Sequence, residues 1–137
     1  MRPVVSFNDL DPETKGDVVL AVSETTGEDP EDVRIGLENG PAQLPVVRMD
    51  PKMVSFGTTR GFSAPTVTKY AAAMRSGAAF PPIIVKRRRG KWILWDGGHR
   101  LKAAIRAGVP TVKALDVTDP RVTVTSEGLE TYVFLFR

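Results

Sequence analysis

Apolar residues recur at helical spacing in four stretches, separated by short apolar or alternating runs. After Asp11, the positions Val18, Ala21 and Val22 predict a helix ending near Gly27. After Asp29, Val33 and Leu37 predict a shorter one ending at Gly40. Both open on Asp-Pro, where the aspartate caps free N–H groups and proline fits the first helical position. Gly40–Pro45 reads as a linker, Val46–Met49 as a short strand and residues 50–62 as loop. Ser63 then caps a helix whose apolar positions Val67, Tyr70, Ala71 and Met74 follow the i, i+3, i+4, i+7 rule, and Gly77 stops it. Ile83–Val85 and Trp92–Trp95 read as hairpin strands around a turn at Lys86–Lys91. Leu101, Ala104 and Ile105 mark another helix, ended by Gly108 and Pro110. Thr111–Val117 follows as a strand, and Arg121–Thr125 with Thr131–Phe136 as a C-terminal hairpin. The pattern predicts an α+β fold. A small mixed sheet carries helices Ser63–Ser76 and His99–Ala107, with a helical leader over 1–44 and a body over 45–137.

Composition narrows the chemistry. The chain has 137 residues, no cysteine and one histidine. Disulfides, thiolate metal sites and cysteine nucleophiles are excluded. Apolar runs such as Val18–Val22 and Val133–Phe136 fall far short of the roughly 20 residues of a membrane span, and Met1-Arg2-Pro3 leads into no signal-peptide core. The expectation is a cytoplasmic chain. The net charge of +3 conceals a division: residues 1–40 hold ten acids against three bases, net −7, leaving +10 on the remainder. A basic body points to an anionic partner, a nucleotide or nucleic acid. The acidic sign argues against laying the two leader helices on a phosphate backbone.

The segment that carries chemistry is Asp96-Gly97-Gly98-His99-Arg100, between a strand and a helix. Two glycines let backbone approach a ligand closely, and the first N–H groups of a helix have no intrahelical partner. Arg100 offers a forked donor for phosphate, His99 a donor or proton carrier, and Asp96 a ligand for Mg²⁺ or a base. A structural reading stands beside this one: Asp96 as helix cap, Gly97 and Gly98 as a tight turn, His99 bonded to backbone. Lys86, Arg87, Arg88, Arg89 and Lys91 place five cations in six residues, suited to a nucleic-acid backbone or to a solvated hairpin tip. Trp92 and Trp95 read as core residues rather than base-stacking platforms. Tyr132, Phe134 and Phe136 read as sheet cover, with a homodimer seam as the alternative.

Two boxes in this order resemble the ParB/sulfiredoxin superfamily. Pro82-Ile83-Ile84-Val85 is similar to the Pro-Ile-x-Val box of ParB partition proteins. Gly97-Gly98-His99-Arg100 falls on their Gly-Glu-Arg-Arg box, with Arg100 on the final arginine. Sulfiredoxins read Gly-Gly-Cys-His-Arg at the same place, so His99-Arg100 matches their end and Gly98 stands at the cysteine. Arg60 sits where ParB proteins carry an arginine before the first helix. The resemblance covers about residues 46–118. It implies a nucleotide pocket at the turn, taking ATP or CTP with Mg²⁺, held by Gly97, Gly98, His99, Arg100 and Arg60, with Asp96 on the metal and Asp96 and His99 as catalytic groups. NTP hydrolysis or phosphotransfer linked to DNA or to phage and plasmid processes is the implied role. A DNA-binding or nuclease module without nucleotide, and a non-catalytic interaction protein, are the alternatives. The sequence also departs from the family. Without cysteine the sulfiredoxin reaction is excluded, and Gly98 replaces the glutamate of the partition box. Asp96 is closest to the Asp-Gly-His start of a serine-kinase branch, yet Asp50 is the only acid in residues 46–62. About twenty residues follow the resemblance, too few for a helix-turn-helix, so a whole partition protein is not expected.

Overall fold

The computed structural model describes residues 4–40, 42–57 and 62–118. Arg60, the expected hairpin at 121–125 and 131–136, and the seam residues Tyr132, Phe134 and Phe136 lie outside the described residues. Two units divide the chain, one running through Val46 and resuming at Asp116, the other Val47–Leu115.

In the first unit β1 (Val4–Ser6) pairs antiparallel with the start of β2 (Gln43–Met49), Val4 opposite Pro45. Between them run α1 (Pro12–Thr26) and α2 (Pro30–Asn39). The Asp-Pro signals act as expected: the Asp11 carboxylate accepts the Thr14 N–H at 3.0 Å, and Asp29 accepts that of Glu31 at 2.9 Å. Phe7, Val18, Val22, Val33 and Leu37 are fully or almost fully buried. The linker expected over Gly40–Pro45 is in part strand. Leu44 is buried and Pro45 takes a ladder position, because proline disrupts pairing only where its N–H would have donated.

In the second unit the strand order is β2-β6-β4-β5-β3, with β3 Val54–Ser55, β4 Ile83–Arg88, β5 Lys91–Asp96 and β6 Val112–Asp116. β4 and β5 are antiparallel; β3 runs parallel to β5. The loop expected over 50–62 therefore contains a two-residue strand, preceded by a 3-10 turn that Asp50 caps. Helices α3 (Ala64–Arg75) and α4 (Gly98–Ala107) pack through Val67, Ala71 and Ala103. Arg106 ties them by donating to the Thr68 hydroxyl at 3.0 Å. Leu101 of α4 joins Ile83, Val85, Leu94 and Ala114 in the sheet core. The result is the α+β fold that the periodicity predicts.

Charge follows the same division. Residues 47–115 contain fourteen Lys and Arg against two carboxylates, Asp50 and Asp96, a net +12; the rest of the chain carries −9.

Candidate functional site

The β5-to-α4 turn is built by Gly97. Its φ of +102° is left-handed, and a Cβ there would come within 2.8 Å of Ile83 Cγ2. Gly97, not Asp96, occupies the cap position of α4, and no side chain caps it. The cap reading of Asp96 is thereby replaced: its carboxylate ends β5 and meets Arg100 at 3.4 Å.

Both polar side chains after the turn are engaged. Arg100, only 15% exposed, donates through Nη1 to the carbonyls of Pro81 (3.0 Å) and Pro82 (2.8 Å). It thus pins the segment entering β4 to the first turn of α4. His99 Nε2 accepts the Ser63 N–H at 2.9 Å, which places its proton on Nδ1 in the neutral ring. The Phe62 ring lies over this turn. It stacks edge-on with His99 and with Phe56, Lys102 Nζ sits 4.8 Å from its centre, and a Cβ on Gly98 would overlap it. Phe62 carries no motif in the sequence, and only its place before the Ser63 cap marks it.

Beside the turn opens a cleft of about 330 Å³, within the usual range of small-ligand sites. Its wall takes Met74 from α3, Ala78–Pro81 from the α3–β4 connection, Ile83 from β4, and Arg100 from α4. Val109, Thr111, Val112, Lys113 and Arg48 complete it. Three cations and no carboxylate stand on that wall. Phe80 is held from behind by Tyr70, ring centres 5.2 Å apart. Arg48 and Lys113 were missed at the level of sequence, although each is a lone cation between apolar neighbours of a strand: Val47 and Met49, Val112 and Ala114.

Asp96 is the residue expected to hold metal. Among the described residues no three His, Asp or Glu side chains gather to hold an ion, and Asp96 faces Arg100.

The basic segment is strand rather than turn over most of its length. Lys86, Arg87 and Arg88 belong to β4 and Lys91 to β5, leaving Arg89-Gly90 as a two-residue turn. Both have positive φ, +53° and +77°, the geometry that follows the twist of a hairpin. Lys86 lies 3.9 Å from the centre of the Trp95 ring and Arg87 4.9 Å from that of Trp92. Trp92 also packs on the sheet core, as its reading as a core residue requires.

The two boxes therefore meet at one cleft, Ile83 from the first and Arg100 from the second, with Ala78–Pro81 just ahead of the first. The ParB N-terminal domain profile matches residues 38–129, most of the chain. The chain belongs to the ParB N-terminal domain family. Two solved structures are similar to this ParB-family chain. One is C-terminally truncated chromosome-partitioning ParB from Caulobacter crescentus, complexed with CTP-gamma-S, at 21% identity and TM-score 0.46, over 52% of this chain and 43% of that one. The other is sulfiredoxin from Arabidopsis thaliana, at 22% identity and TM-score 0.46, over 64% of this chain and 96% of that one. The chain thus spans less than half of the ParB protein it matches. No curated protein sequence matches it. Among the described residues no helix of this ParB-family domain is long and apolar enough to cross a membrane.

Proposed function

We propose that this ParB-family domain binds a nucleoside triphosphate, ATP or CTP, in the cleft beside the β5–α4 turn. The observation that carries the reading is the meeting of the two sequence boxes on one wall that bears Arg48, Arg100 and Lys113 and no acid. A cleft with an aromatic and an apolar side and three cations suits a base joined to phosphates. Arg100 holds the wall together, since its guanidinium is bonded to Pro81 and Pro82. Arg48 and Lys113 are the cations assigned to the phosphates. The reading is of binding: in this geometry His99 Nε2 accepts from Ser63 and Asp96 meets Arg100, so both side chains serve the turn.

Titration calorimetry of the full chain against ATP, CTP, GTP and ADP tests this. Micromolar binding of ATP or CTP is expected, weakened about tenfold in Arg48→Ala/Lys113→Ala, as for the loss of one or two charge-assisted contacts. Heat with none of the four nucleotides overturns the reading. Phosphate release above buffer in the same samples overturns the restriction to binding.

A further inference from the structure

The strongest feature that nucleotide binding leaves unused is the end of the β4–β5 hairpin. Arg88, Arg89 and Lys91 are exposed, and no ion pair is found for them among the described residues. From Ile83 to Trp95 there is no carboxylate, within a unit of net +12. Successive strand residues face opposite sides. Lys86 and Arg88 therefore present charge on one face of the ribbon, Arg87 on the other, and Arg89 at the tip. Lys86 and Arg87 are held over Trp95 and Trp92, which lowers the rotamer entropy lost when they meet a partner.

The turn residue argues that this charge is there for a purpose. Arg89 has φ +53° and is the one described non-glycine residue in that region. The position favours Asn, Asp or Gly, and a side chain such as arginine is strained there. A solvated tip gains nothing from that strain, whereas a surface that meets phosphates does.

We propose that the β4–β5 hairpin is a contact surface for the phosphates of duplex DNA. A two-stranded ribbon with cations on both faces fits the B-form major groove, whose two edges are rows of phosphates. The deep, narrow major groove of A-form RNA does not admit one. Contacts to phosphates alone read no sequence, so binding is expected to be sequence-independent and salt-dependent.

The test is fluorescence anisotropy of the full chain with a labelled 20-base-pair DNA duplex over a range of salt. Three to five phosphate contacts give a slope of log affinity on log salt of about −2.7 to −4.5. Arg88→Ala/Arg89→Asn is expected to make the slope shallower by about 1.8 and to weaken binding on the order of fifty-fold near 0.1 M salt. Lys52→Ala/Lys69→Ala, which removes the same charge elsewhere on the unit, leaves the slope unchanged. Arg89→Asn alone is expected to raise the melting temperature by about 3 °C while weakening DNA, a combination that loss of fold does not produce. Nucleotide heats should be unaltered in the tip variants, so this proposal and the cleft stand or fall separately. No binding of the duplex at low salt overturns the proposal. So does equal weakening by the Lys52/Lys69 control, or equal affinity for duplex RNA.

Discussion

Gly97 and Gly98 adjoin in sequence and do different work. Gly97 needs its left-handed φ and has Ile83 against the place of a Cβ, so Gly97→Ala combines backbone strain with overpacking. The expected cost is about 2–4 kcal/mol, read from denaturant melts. Gly98 is the first residue of α4, where alanine is the better helix former by about 1 kcal/mol, and only the Phe62 ring opposes it. Gly98→Ala should therefore be destabilising in the native background and neutral or stabilising in Phe62→Ala, a coupling that a double-mutant cycle measures directly. Additive effects would mean that Phe62 does not rest on the turn. The sequence makes the glycines legible as a place of close backbone approach. It does not disclose that an aromatic ring, rather than a ligand, is what approaches Gly98. That depends on a contact across 36 residues, and no local pattern encodes it.

Elements with caps were legible, and elements without periodicity were not. Asp11, Asp29 and Ser63 announce α1, α2 and α3, because each side chain satisfies an N–H that the helix itself leaves open. Asp11→Ala is expected to cost about 1 kcal/mol or more by thermal melting, since Thr14, buried beside it, loses its hydroxyl's partner as well. The three residues of β1 and the two of β3 show no alternation to count, and Pro45 conceals the start of β2. In the sequence the basic segment reads as one turn, because charge suggests a loop. Its strand character comes from the tryptophans opposite, which give Lys86 and Arg87 something to lie on. On α2, Arg34 bonds both Glu31 and Glu38, one turn either side. The hydrogen bond from Arg34 is the main cause holding the Glu31 carboxyl below its usual 4.5. A carboxylate depressed in the folded state stabilises above its unfolded pKa and loses that contribution as protons bind. The unit holding α2 should thus lose stability as pH falls below about 4.5, and Glu31→Gln should flatten that dependence in melts taken from pH 6 downwards. Glu31 is exposed, so added salt should shrink the difference.

At the scale of the molecule, the decisive property is how charge is distributed between the units. An acidic leader and a basic body are visible in the sequence, and residues 47–115 concentrate the positive charge at +12, with −9 on the rest of the chain. A unit so charged repels itself, and an anion that binds it relieves part of that repulsion in addition to making its contacts. Ligand binding should therefore register as stability in that unit first. For one site, ligand at a hundred times its dissociation constant stabilises by about 2.7 kcal/mol. Hydrogen exchange of the full chain, with and without saturating CTP or ATP, places that effect along the sequence. Added protection is expected across residues 78–85 and 97–101, where Arg100 joins the cleft wall to α4. The amides of α1, in the other unit, should change little. Arg48→Ala/Lys113→Ala, about tenfold weaker, should lose about half of that stabilisation at the same nucleotide concentration, because affinity falls while the Arg100 bonds stay intact. Protection spread evenly over both units would instead mean that they open together, and the cleft would have to be located by the variants alone.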